Sequence, residues 1–180
     1  PASVVGPNIG KSVDVSYEVQ RYGSRSPSDV LKLTVSNFKD PATELPLPRI
    51  TQANDASKEL ILDSFTGNAT VTVGPWPFIA TGQRVWLRLT GTGSAGAVTI
   101  SLLEGVVISA SQVSSGLSEL LLRTELEKLV HDTQLTVTCN VTFDGAAQEA
   151  SAIAFPVARY TFKTFDDSII PTITSVADSK

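Results

Sequence analysis

The sequence predicts an all-β protein, a β-sandwich of eight or more mostly antiparallel strands with one short helix near residues 124–131. Three observations carry this expectation. Apolar residues alternate with polar ones over several stretches, which is the period-two signature of half-buried strands. Ser and Thr, whose short side chains suit the solvent face of a sheet, are abundant in the remainder. Only one stretch sets its apolar residues at helical spacing.

Taken in order, SVDVSYEVQ places Val13, Val15, Tyr17 and Val19 on one face and Asp14, Ser16 and Glu18 on the other. VLKLTVS repeats the pattern with Leu31, Leu33 and Val35. The segment from Asn37 to Ser57 carries Pro41, Pro46 and Pro48, which cannot donate to a central ladder, so it reads as an extended crossover between the sheets. KELILDS and NATVTV follow, separated by the turn-like Phe65-Thr66-Gly67-Asn68. In QRVWLRLT, Val85, Leu87 and Leu89 share one face while Arg84, Trp86 and Arg88 share the other. A glycine cluster leads into AVTISLL and GVVISA.

The helical stretch is LLRTELEKLVHD, where Thr124 and Glu127 have the spacing of a capping box and Leu126, Leu129 and Val130 form a stripe. QLTVTCNVTF turns Leu135, Val137, Cys139, Val141 and Phe143 inward, and Asp144-Gly145 closes that strand as a hairpin turn. SAIAF and ARYTF complete the set. Residues 1–164 are expected to form the sandwich module, and residues 165–180 a linker with the start of a following module. No internal repeat is visible.

A chain of 180 residues fits one domain. Its net charge of −4 lacks the cationic footprint that phosphate-backbone binding needs, so nucleic acid is not an expected partner. Apolar runs of a few residues fall short of the ~20 needed to cross a bilayer as a helix, which argues against membrane insertion. One cysteine and one histidine exclude an intrachain disulfide and multi-histidine metal sites. The absence of methionine and the start at Pro1 read as an internal segment of something longer.

Gly91, Gly93 and Gly96 match the G-x-G-x-x-G spacing of dinucleotide-binding loops. Such a loop must open a helix whose amides face the phosphates, whereas here Val98, Ile100 and Leu102 alternate and strand feeds strand. The expectation is a glycine-rich hairpin and no bound cofactor. Ser94 is not a nucleophile elbow, because Thr92 stands where that motif needs glycine. His131 suits a helix C-terminus better than a catalytic triad, and Cys139 reads as core filler rather than as a nucleophile. Asp166 and Asp167 offer clustered carboxylates, but no calcium-loop motif accompanies them and a solvated linker is the simpler reading. No catalytic or metal residue is assigned.

The remaining candidate is a ligand-binding patch of Trp86, Arg84 and Arg88. An exposed indole flanked by guanidinium groups suits stacking on a sugar or reading a carboxylate. Packing is the competing explanation. Trp76, between Pro75 and Pro77, is expected to tuck over the end of the sandwich.

The run SFTGNATVTVGPWPFIATGQRVWLRLTGT, with LLRTELEKL and LTVTCNVTFDG, resembles repeat modules of very large surface-associated proteins of pseudomonads and related bacteria. The resemblance covers roughly residues 1–164 and implies an immunoglobulin-like β-sandwich in tandem array. It further implies a non-enzymatic spacer or adhesion-related role at the cell surface or outside the cell, with neighbouring modules as partners. It brings no active-site residues.

Overall fold

Alternating sequence becomes strand where a neighbour completes the backbone hydrogen bonds. Thirteen strands form among residues 2–166, the part that the computed structural model describes, residues 2 and 3 by backbone alone. The first four are β1 (Ser12–Val15), β2 (Glu18–Arg21), β3 (Ser24–Pro27) and β4 (Leu31–Thr34). Then come β5 (Arg49–Ile50), β6 (Glu59–Ile61), β7 (Ala69–Val73), β8 (Arg84–Gly93) and β9 (Gly96–Val107). The last are β10 (Leu117–Leu121), β11 (Thr133–Thr142), β12 (Ile153–Ala154) and β13 (Ala158–Lys163). The α-helices are short: α1 (Ala2–Val5), α2 (Pro41–Glu44), α3 (Ala110–Ser115) and α4 (Arg123–Leu126). The protein is all-β.

Residues 36–166, the body, hold two sheets around one core. The larger runs β6-β13-β11-β8-β9 with β12 also on β11, and the smaller runs β10-β7-β5. β6 and β13 pair in parallel, and the other pairs are antiparallel. Leu87, Leu89, Leu135 and Val137 of the larger sheet share a buried cluster with Val71, Val73, Leu117 and Leu121 of the smaller. The Ile50 amide donates to the Tyr160 hydroxyl at 3.2 Å, tying β5 to β13. With Cys139 a free thiol, burial carries this core, at about 1.5–3 kcal/mol for each large aliphatic side chain.

The helix expected over residues 124–131 is a single turn, Arg123–Leu126, and its N-cap is Leu122 without a side-chain cap. The sheet takes over the backbone beyond it: the Val130 amide donates to the Thr92 carbonyl, and Leu129 bridges Gly93. These contacts explain the glycines. A Cβ on Gly91 would lie 2.9 Å from Leu129, and one on Gly93 would lie 3.1 Å from the Lys128 carbonyl, so both positions let this turn pack against β8. The capping box lies instead at α3, between Ser109 and Gln112. AVTISLL and the first three residues of GVVISA run together as β9, with Ser109 capping α3, and the Pro-rich crossover contains α2 and β5.

β1 pairs with β4 and β2 with β3, giving a two-stranded arm whose tip, Tyr22-Gly23, has both φ angles positive, as a tight hairpin turn requires. Apart from half-buried Val13, its apolar side chains face solvent, with Tyr17 71% and Leu31 63% exposed. Lys11 at the root of the arm pairs with Asp144, just past the end of β11, at 2.8 Å. β13 antiparallel to β11 carries Lys163 back to the beginning of β11. The arm therefore leaves one end of the larger sheet and the chain leaves β13 at the other.

The arm has the same pairing pattern as the hairpin that β11 forms with β12 and β13. In the arm, Val13 stands opposite Leu33 and Val15 opposite Leu31; in the body, Leu135 stands opposite Tyr160 and Val137 opposite Ala158. Both hairpins then slip by one residue at the same place. The Ser28 amide donates to the Tyr17 carbonyl at 2.8 Å, as the Phe155 amide does to that of Cys139 at 2.9 Å. Beyond the slip, Val19 opposite Ser26 matches Val141 opposite Ile153. Even the approach agrees: α1 and a left-handed Gly10 lead into the arm as α4 and a left-handed Asp132 lead into β11. The likeness lies in register, which sequence inspection does not display. Of the expected linker and following module, residues 167–180 lie outside the described residues.

Candidate functional site

β8 places Arg84, Trp86 and Arg88 on its outer face, but Trp86 is buried, with 6% of its surface exposed. The exposed indole expected from alternation is not found. Its ring packs against the backbone of Gly105, where a Cβ would lie 3.2 Å from the indole. Arg84 donates to the carbonyls of Gly105 at 2.9 Å and Gly145 at 3.2 Å. Arg88 grips Glu104 through two nitrogens and donates to Glu149 at 2.6 Å. Asn140 donates to the same Glu149 oxygen at 2.9 Å. The segment from Gly145 to Glu149 thus returns to this face, a covering that alternation along β8 cannot foretell.

The electrostatics follow from the pairing. Hydrogen bonds from Arg88 hold the Glu104 and Glu149 carboxyls below the ordinary carboxylate range, and Glu104 followed by Glu149 holds the guanidinium above its own. This arrangement fixes strands and the 145–149 segment in place. The arginine pair, for which the sequence left ligand binding and packing as alternatives, is engaged within the protein.

A second constellation lies at the root of the arm. Trp76 is buried, meets Phe155 edge-on at 5.3 Å, and donates through Nε1 to buried Gln83 at 3.0 Å. Gln83 in turn donates to the Phe78 carbonyl at 2.7 Å. That clamp holds Phe78 at φ 63, a left-handed conformation rare for a bulky residue. Phe38 lies 5.5 Å from Phe143 and 6.4 Å from Phe78. Beside them is a largely apolar cavity of roughly 390 Å³, lined among others by Ile9, Asn37, Phe38, Glu44 and Phe78. Sequence reasoning placed Trp76 at the end of the fold but missed Gln83, whose signal was a glutamine at the head of an apolar strand.

The remaining candidates resolve individually. Gly93 and Gly96 face each other across the turn between β8 and β9, so the glycine motif is a hairpin. Cys139 is buried and its thiol pushed up to about 12 by burial, far from the reactive range. His131 accepts the Thr164 amide at Nδ1, 3.1 Å, and stacks on Phe165 at 4.3 Å, a packing role between β11 and the end of β13. Among the described residues no three His, Cys, Asp or Glu side chains group to hold a metal, and Asp167 lies outside them. No described helix is long and apolar enough to cross a membrane.

No protein-family model matches the chain, and no curated protein matches it.

Proposed function

We propose that the protein is a non-enzymatic structural module, an immunoglobulin-like β-sandwich of a long surface-exposed or secreted polypeptide, which spaces and stiffens the modules on either side. The observation that carries this reading is the placement of the two exits at opposite ends of the larger sheet. Tension applied between them pulls β13 along its own axis, out from between β6 and β11. Its ladder bonds on both sides are then loaded together rather than one at a time. The packed root of the arm, where Phe38 meets Phe143, adds stiffness at the joint.

Single-molecule force spectroscopy tests the reading. Pulled between its two termini, the body (residues 36–166) is expected to yield in one cooperative event, separate from the low-force opening of the two-stranded arm. The force should exceed that needed when one handle is moved to Ser94, where β8 and β9 peel apart from their turn. A terminal pull in which the body yields at equal or lower force overturns the spacer role. The alternative role, binding a surface glycan or protein through Trp86, Arg84 and Arg88, has less support because the indole is enclosed and both guanidinium groups are engaged. Glycan-array binding that Arg88→Gln abolishes would favour it instead.

A further inference from the structure

The arm and the terminal hairpin of the body share pairing, slip and approach, yet their surroundings are opposite. In the body, β11 has β8 on its outer edge and β13 has β6, and the inward side chains Leu135, Val137, Cys139 and Tyr160 are at most 3% exposed. In the arm, the equivalent positions are Val13, Val15, Tyr17 and Leu33, and the last three are 47%, 71% and 49% exposed. Among the described residues, no strand lies along either edge of the arm where β8 and β6 flank its counterpart. A two-stranded hairpin is marginal alone in water, and an apolar face with open edges marks a surface that another chain segment covers.

We infer that the arm is the terminal hairpin of a second two-sheet unit of this same kind, and that its partner is a segment equivalent to residues 36–122 of this protein. That partner would lay a β8-like strand along β1 and β2, a β6-like strand along β4, and a β7–β10 sheet over the apolar face. In the body these strands precede the hairpin in the chain, so the partner is assigned to polypeptide on the N-terminal side of the arm. A second copy of this chain is not a suitable partner as folded, because its own β11–β13 hairpin fills the position. The inference deepens the spacer reading and rests on its tandem arrangement: the boundary between units falls behind the arm, and Ile9 and Phe38, partly buried against the core, make the joint.

The equivalence of α1 with α4 supplies the test. A tandem chain with residues 36–122 placed directly ahead of Pro1 gives the arm its missing strands and leaves the whole protein intact behind them. Hydrogen exchange is then followed at the amides of β1–β4. The expected result is exchange at least about 100-fold slower in the tandem than in the protein alone, because docked strands open only with their unit. Val15→Asp with Leu33→Asp should abolish that protection while leaving β11–β13 unchanged. A control chain in which residues 36–162 precede residues 36–180 carries the body's own hairpin in front. If the control gives two folded units while the arm stays unprotected in the tandem, the inference falls. It falls equally if the protein alone protects its arm by dimerising, seen by light scattering. Neither result touches the force measurement, so failure of the arm assignment is distinguishable from failure of the spacer role.

Discussion

Arg88 illustrates how far one side chain is determined by its neighbours. On β8 it lies beside Trp86 on the outer face, and its guanidinium joins Glu104 of β9 to Glu149 of the returning segment. Both carboxyls are held below the ordinary 4.5, chiefly by the hydrogen bonds from Arg88. A carboxyl with a lowered folded pKa contributes stability that is complete above its unfolded value and lost as pH falls through the folded one. Replacing Arg88 by Met should therefore cost about 1 kcal/mol near neutral pH, a figure that allows for the solvent reaching these partly exposed groups. The gap between variant and wild type should close as pH falls below 4.5. Urea unfolding of both proteins over that range measures it, and a gap that persists in acid would show that Arg88 acts by packing alone.

At the scale of the element, β10 is an edge strand of the smaller sheet among the described residues, and Glu119 occupies a core-facing position between buried Leu117 and Leu121. Burial raises its pKa, the opposite sign from Arg88's partners. Its protonated form favours the fold, so stability is highest below the ordinary 4.5 and falls as pH rises through the higher folded value. Glu119→Gln should raise the urea midpoint at neutral pH, with the advantage disappearing in acid. Inward charge on an edge strand also discourages pairing with another molecule. Glu119→Leu is accordingly expected to stabilise the monomer while promoting self-association, which light scattering at increasing concentration detects. The same residue explains a strand that the sequence concealed. LSELL breaks apolar alternation at Glu119, so β10 was not legible, whereas QLTVTCNVTF, which keeps alternation throughout, was. Alternation along β8 marked Arg84, Trp86 and Arg88 as one face but carried no information on what covers it, because the cover comes from residues 145–149. Gly91 and Gly93 were legible as part of a glycine-rich hairpin rather than a phosphate loop, though neither as residues of β8 itself nor as the seat of the Leu129 turn.

At the scale of the whole molecule, the likeness of the two hairpins separates what a strand is able to bury from what it does bury. Val13 and Leu135 hold the same place in the same hairpin, each opposite the matching residue of the return limb. Leu135 is fully buried in the shared core, while the arm's apolar neighbours Val15 and Leu33 lie open. Periodicity reads the two segments identically, because it reports only the faces of a strand and not the presence of a second sheet. Stability must distinguish them. Truncating Leu135 to Ala removes packed methyl groups and leaves a cavity, at an expected cost of about 2–5 kcal/mol. Val13 is only half-buried in the two-stranded arm, so Val13→Ala in the protein alone should cost far less than the core truncation, no more than about 0.5 kcal/mol. Cys139 supplies a probe for the measurement without any label being added: its buried thiol, pushed up to about 12, reacts only when the core opens. Alkylation at increasing urea should therefore shift to lower denaturant for Leu135→Ala and stay in place for Val13→Ala. Equal shifts in both would mean that the arm belongs to the cooperative unit of the body.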